Sequence, residues 1–348
     1  MNLSLGRDLM GLVDGVEARL AEFPRVCVSH NPTPLEPLTN LSPDLGASVF
    51  VKRDDCTGFA FGGNKVRQLE FYIGAAIHEG ADTILITGAI QSNFVRTAAA
   101  MARRFGMDCH VQLEERVDGA GDLYRTNGNV LLDRLLGATI HTFPVGEDES
   151  GADKSIYRIA DGLKAEGRKP YVITLGTDHP PLGALGYVEA ALELTRQIEG
   201  GPPFDEIIVG SGSASTHSGL LFGLRAIGNT TPVTGICVRR VASLQKPRVE
   251  GRIGDIDDLL GTSGTVPKDD VRVFDGSLEP GYGKLNDVTR RAISMTAQRE
   301  GLFLDPTYTG KVMGGLMMLV ESGTLAGKRV LFWHTGGQPG LFAYADQL

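Results

Sequence analysis

Short apolar runs alternating with helical stretches constrain this chain more than any other feature. Residues 48–53, 83–88, 108–113, 139–143, 170–174, 206–210, 233–238 and 329–333 each read as a strand rich in apolar side chains. Between them lie helix-length segments such as 92–105, with its run of alanines, and 128–136. Strands buried on both faces and separated by helices build parallel sheets through βαβ units, so the fold class is α/β. A chain of 348 residues has room for two such domains. Residues 9–23 read as a separate N-terminal helix, and residues 239–265 as a helix followed by a surface loop. In open parallel sheets, ligands sit beyond the carboxyl ends of the strands. The glycine turns at Gly62 and Gly63, Gly88, Gly176, Gly210 and Gly212, and Gly336 and Gly337 follow such strands and are therefore placed to form one site.

Charge and composition remove several classes of function. A net charge of −8 argues against a nucleic-acid partner, because phosphate contacts need clustered Lys and Arg. There is no apolar run of the length that crosses a membrane, so no membrane partner is expected. The first residues lack a basic region followed by an apolar one, so a secretory signal is not expected and the cytoplasm is the expected location. Cys27, Cys56, Cys109 and Cys237 are far apart, which suits a reducing compartment and buried or half-buried thiols. The seven histidines show no metal-ligand spacing, so no catalytic metal is expected, and His217 and His334 read as packing or capping residues. There is no G-x-S-x-G to support a hydrolase triad.

Four segments can carry chemistry. Gly62, Gly63, Asn64 and Lys65 place a lysine where a glycine turn opens a helix. The positive end of the helix dipole, with any desolvation, lowers the pKa of such an amine and makes it a usable nucleophile or base. The run Gly210, Ser211, Gly212, Ser213, Ala214, Ser215, Thr216 joins a strand to a helix. Small residues and hydroxyls there suit a phosphate, although a tight turn alone would look similar. It is neither a P-loop nor the dinucleotide fingerprint, since Ser215 takes the third glycine position. Gln91, Ser92 and Asn93 open another helix; a cap needs only one of them, so the remainder can hold a carboxylate or a ring hydroxyl. Tyr282 and Tyr308 stand beside glycine and proline turns, where they either pack the turn or stack on a planar ligand, and Thr335 ends a strand with one hydroxyl.

In order along the chain, these segments resemble the fold-type II pyridoxal-phosphate enzymes, and within them the family of D-cysteine desulfhydrase, L-cysteate sulfo-lyase and 1-aminocyclopropane-1-carboxylate deaminase. The resemblance runs from Phe23 to the C-terminus. It includes Pro32-Thr33-Pro34-Leu35, Lys52-Arg53-Asp54-Asp55, Leu182-Gly183-Ala184-Leu185-Gly186-Tyr187, Asp305-Pro306-Thr307-Tyr308-Thr309-Gly310-Lys311 and His334-Thr335-Gly336-Gly337. It implies a tryptophan synthase β-like fold of twisted, mostly parallel sheets flanked by helices. A large cofactor-binding domain would comprise residues 1–61 plus 177–348, a small mobile domain residues 62–176, and the assembly would be a homodimer.

The resemblance also implies roles. Lys65 resembles the lysine that forms the Schiff base with pyridoxal 5'-phosphate, with Asn64 beside it in the cofactor site. Asn93 resembles the contact to the ring hydroxyl, Tyr308 the stacked aromatic, and Thr335 the neutral partner of the ring nitrogen. Ser211, Gly212, Ser213, Ala214, Ser215 and Thr216 resemble the phosphate cup. Ser92 and Tyr282 resemble residues that hold substrate or shuttle protons, and Asn93, Phe94 and Thr309 complete the expected substrate set. The implied reaction is β-elimination from a small amino acid, releasing sulfur and giving pyruvate and ammonia. D-cysteine is the favoured substrate, followed by L-cysteate and then 1-aminocyclopropane-1-carboxylate; an inactive ligand-binding relative is the non-enzyme alternative.

Three departures from the family pattern bear on the substrate. Thr309 stands where the cyclopropane-opening members carry glutamate, which favours the sulfur-releasing branch. Phe94 replaces a histidine that commonly follows Gln-Ser-Asn, and Thr177-Asp178-His179 is unusual before Pro180. A sulfonate leaving group would need an added cation, for which Arg96, Arg125 and His179 are candidates.

Overall fold

A computed structural model describes residues 2–348 except 175, 177 and 178, with side chains from Leu9 onward. The expectation attached to Thr177 and Asp178 lies outside the described residues. The described strands, in chain order, are β1 (Leu35–Pro37), β2 (Ser48–Arg53), β3 (Thr83–Ala89), β4 (Asp108–Glu114), β5 (Thr139–Phe143), β6 (Pro170–Ile173), β7 (Glu206–Ser211), β8 (Val233–Cys237), β9 (Arg272–Phe274) and β10 (Arg329–His334). They form two sheets, a six-stranded one in the order β1-β2-β10-β7-β8-β9 and a four-stranded one in the order β5-β4-β3-β6. Every pairing is parallel except β1 with β2. The register of β10 on β2 runs from Arg329 opposite Ser48 to His334 opposite Arg53. This is the α/β architecture of parallel sheets expected from the alternating pattern.

Two strands escape the sequence reading. Both β1 and β9 span three residues at the edges of the large sheet. A run that short carries no readable period and becomes a strand only because a neighbour offers its free edge. The N-terminal helix spans Asn2–Leu20 rather than residues 9–23. Cys27 corrects the expectation of buried or half-buried thiols: it is exposed, whereas Cys109 and Cys237 are buried, and all four are free. Among the described residues, no helix is long and apolar enough to cross a membrane.

The large sheet packs against the helices Leu182–Gln197 and Ser215–Ala226, which approach closely where side chains vanish. A Cβ on Gly219 would lie 2.3 Å from the Ala184 carbonyl oxygen, so only glycine permits this approach. A buried polar cluster then locks the pieces that carry the site. The fully buried Asp54 carboxylate accepts from Arg67 Nη2 at 3.0 Å, Trp333 Nε1 at 2.8 Å, Thr33 Oγ1 at 2.9 Å and the Tyr187 hydroxyl. Lys52 donates to Glu193, and Arg67 binds Glu193 at 2.9 Å. Burial would push the Asp54 pKa up, but Arg67 and Lys52 hold it below the ordinary carboxylate value.

Candidate active site

Two glycine turns meet at the base of the site. Gly63 precedes the helix Asn64–His78 with φ 103°, and Gly336 follows β10 with φ 86°. A Cβ on Gly336 would stand 2.6 Å from Gly63 Cα, so the two backbones touch, and glycine is required for both the approach and the positive φ. The Asn64 N–H donates to the Thr335 carbonyl at 3.0 Å, and the Gly63 N–H to that of Asp54 at 2.9 Å. Lys65 is thereby fixed one residue into the helix. Its Nζ reaches Gln68 Oε1 at 3.1 Å and sits 5.2 Å from the Phe94 ring centroid. Desolvation lowers its pKa to about 8.

The glycine-serine loop runs from β7 into the helix Ser215–Ala226. Ala214 adopts φ 79°, a left-handed conformation that costs a non-glycine residue of order 1–3 kcal/mol and that the surrounding fold enforces. This bend brings Ala214 and Thr216 to the cavity wall, at the end of the helix whose first N–H groups have no intrahelical acceptor. Thr216 Oγ1 accepts from Asn64 Nδ2 at 2.9 Å and Gln68 Nε2 at 2.8 Å. With its lone pairs so occupied, its own hydrogen is left to donate.

The segment 91–93 divides its three polar side chains among three tasks. Gln91 turns away, donating to the Tyr124 and Asn127 carbonyls at 2.6 and 2.9 Å. Ser92 is the N-cap of the helix Asn93–Arg104, accepting from the Val95 N–H at 3.2 Å, and it also lines a cavity. Asn93 Oδ1 accepts from Asn129 Nδ2 at 2.9 Å, which leaves the Asn93 amide nitrogen as the donor available to a ligand. Phe94 is buried, edge-on to Tyr72 with centroids 6.1 Å apart.

Asp305 positions the aromatic wall. Its carboxylate accepts the N–H groups of Thr307, Tyr308 and Thr309 at 2.9, 2.8 and 2.8 Å, capping the helix Thr309–Glu321. Burial raises its pKa to about 6, and these bonds oppose the rise. The Tyr308 and Tyr282 hydroxyls are 2.6 Å apart.

These groups line two adjoining cavities, both partly open to solvent. The first is lined by Asn64, Lys65, Asn93, Gly212, Ser213, Ala214, Thr216, Tyr308 and Thr335, among others. The second shares Lys65, Gly212, Ser213 and Tyr308 and adds Ser92, Phe94, Tyr282, Arg116 and Arg239. Three expected residues line neither cavity. Ser211 Oγ instead bonds the buried His217 and Gln245, and Ser215 lies within the first turn of its helix. Thr309 donates to Asp305 at 2.8 Å. Gly176 lines neither cavity; Gly88 itself is not a lining residue, but the turn that follows it reaches both cavities through Ala89, Ser92 and Asn93. Of the cations considered for a sulfonate, Arg96 lies beneath the 91–93 loop on Asn129, Arg125 pairs with Glu115, and His179 stacks on Tyr157.

Sequence reasoning missed Gln68, Asn129, Arg116 and Arg239. Gln68 had a signal, since it lies three residues beyond Lys65 on one helix face. Asn129 had none, being separated from Asn93 by 36 residues and brought to it only by the fold.

The sequence profile of the family described as Pyridoxal-phosphate dependent enzyme matches residues 26–336. The chain belongs to this family. It is 40% identical over 335 residues to D-cysteine desulfhydrase of Yersinia enterocolitica serotype O:8 / biotype 1B, covering 96% of this chain and 99% of that protein. D-cysteine desulfhydrase of Salmonella schwarzengrund (strain CVM19633) is 41% identical over 326 residues, with 93% and 97% coverage. A crystal structure described as that of an ACC deaminase homologue superposes with a TM-score of 0.86 at 37% identity, covering 95% of this chain and 97% of that one. The site fits the cofactor of a pyridoxal-phosphate dependent enzyme. A desolvated amine, a helix N-terminus behind a left-handed bend and an aromatic wall line one cavity, and no carboxylate among the described residues lines it.

Proposed function

We propose that this pyridoxal-phosphate dependent lyase is a D-cysteine desulfhydrase. The observation that carries this reading is the Lys65 amine, desolvated and shared between two adjoining cavities, one lined by the glycine-serine loop and Tyr308 and the other holding Ser92 and Tyr282. Likeness to D-cysteine desulfhydrases over nearly the whole chain supports the choice of substrate.

When bound at Lys65, pyridoxal phosphate supplies an electron sink that acidifies the α-proton of an amino acid. The protein's own groups do the rest. Gly212, Ser213, Ala214 and Thr216 would receive the phosphate, the Asn93 amide would donate to the ring hydroxyl, Thr335 would serve as the neutral partner of the ring nitrogen, and Tyr308 would supply an aromatic wall for the ring. Ser92 holds the substrate carboxylate. Lys65 Nζ takes the α-proton, and the Tyr282–Tyr308 pair holds a proton across its 2.6 Å contact. A β-leaving group departs as the proton is lost, and the product hydrolyses to pyruvate and ammonia.

A second reading, sulfite release from L-cysteate, is favoured by the two guanidinium groups of Arg116 and Arg239 in the second cavity. We further propose a small mobile unit of residues 62–176 carrying the four-stranded sheet, a homodimer, and a cytoplasmic location, the last supported by four free cysteines. The deciding experiment incubates the enzyme with D-cysteine, L-cysteine, L-cysteate and 1-aminocyclopropane-1-carboxylate while sulfide, sulfite and keto acid are measured. Sulfide and pyruvate from D-cysteine are expected; sulfite from L-cysteate alone overturns the substrate. A wild-type protein that takes up no pyridoxal phosphate overturns the enzyme reading.

A further inference from the structure

Arg116 has no part in holding the cofactor, yet it stands in the cavity where a substrate side chain would project. It lies two residues past β4, and its guanidinium is 6.0 Å from the Tyr282 ring centroid. Glu114 binds one edge of it, taking Nε at 2.9 Å and Nη2 at 2.6 Å. Glu114 is in turn fixed by the Thr87 hydroxyl at 2.8 Å, and both partners of the pair are nearly buried, at 5% and 1% exposure. Nη1 has no hydrogen-bond partner among the described residues. Arg239, across the cavity, differs: its two terminal nitrogens are taken by Glu149 at 2.6 Å and Glu147 at 3.1 Å. A rigid, desolvated cation with one free edge is suited to charge that appears during a reaction, because it needs no rearrangement to meet it.

We propose that Arg116 is the catalytic residue that receives the departing β-substituent, and that the enzyme therefore prefers substrates whose leaving group is a basic anion such as thiolate. The proposal rests on the β-elimination reading. As Lys65 Nζ takes the α-proton, the Cα–H electron pair becomes the Cα–Cβ double bond. The Cβ–S bond breaks, and its electron pair leaves with sulfur as hydrosulfide, whose charge builds against Arg116 Nη1–H. The guanidinium keeps its proton throughout. Hydrosulfide then takes up the proton that Lys65 Nζ accepted, leaving the amine neutral again, and hydrolysis of the 2-aminoacrylate consumes one water to give pyruvate and ammonia.

The test compares D-cysteine with β-chloro-D-alanine, whose chloride departs as a very weak base and needs little help. In Arg116→Gln, kcat for D-cysteine should fall about ten- to a hundredfold, with KM within about threefold, because the lost bond is charge-assisted and forms late. Chloride release should fall less than about threefold, since the same bond matters little to a leaving group already stable in water. The double variant Glu114→Gln/Arg116→Gln removes the carboxylate that the single change leaves unpaired, and it should reproduce the same split. An unchanged visible cofactor band and near-ultraviolet circular dichroism verify the fold. Equal losses on the two substrates, or no loss on D-cysteine, overturn the proposal while leaving the desulfhydrase reading intact. A wild-type enzyme that releases neither sulfide nor chloride overturns that reading, and the proposal with it.

Discussion

Asp54→Asn tests whether the buried polar cluster holds the site together. The cluster balances two cations, Lys52 and Arg67, against two carboxylates, Asp54 and Glu193. Asparagine keeps the shape of the side chain and some of its hydrogen bonds but removes one negative charge. One buried positive charge is then uncompensated, which costs about 3–5 kcal/mol. That is a large share of the roughly 5–15 kcal/mol that keeps a typical domain folded. The structure also says how the cost should vary with pH. Burial already lowers the Lys52 pKa, and Asp54 opposes that fall, so losing Asp54 lowers it further. The folded variant then sheds the Lys52 proton at a pH where the unfolded chain still binds it. Stability relative to wild type therefore rises with pH, and the deficit should shrink between pH 6 and pH 9. Urea melts of both proteins, with cofactor bound, measure it. A loss under about 1 kcal/mol at pH 6, or a deficit that grows toward pH 9, would refute the charge-balance argument.

Other consequences are open to measurement. With Lys65 near pKa 8, the rate at which cofactor-free protein takes up pyridoxal phosphate should rise about tenfold from pH 7 to pH 9 and then level, whereas an ordinary lysine would give about a hundredfold rise. Lys65→Ala should lack the visible band of the bound cofactor altogether. Asn129→Ala frees the Asn93 amide to rotate, so cofactor affinity should fall about tenfold with a shifted visible band, while Asn129→Asp, which still accepts from Arg96 but cannot donate to Asn93, should do no better. The fully buried His217 has its pKa lowered to about 4 by desolvation. Its unfolded form gains a proton near pH 6.5 and its folded form does not, so stability should fall by about 3 kcal/mol from pH 7 to pH 4 on its account. His217→Asn should flatten that part of the pH profile, and an unchanged slope would contradict it.

The sequence by itself determined the parallel α/β class, because strands buried on both faces read as apolar runs whatever their order. It also located the site, since glycine turns after strands and a lysine opening a helix are local features that need no knowledge of neighbours. Even the split within residues 91–93 was half legible, as a helix needs one cap and three candidates were offered. The tertiary structure decided which polar atoms face the ligand. Ser211 and Thr309 belong to readable motifs, yet their hydroxyls are spent on His217, Gln245 and Asp305. Arg116, outside every motif, faces the second cavity because Glu114 and Thr87 hold it there. The direction of a side chain depends on partners distant in the chain, and a linear pattern does not contain them.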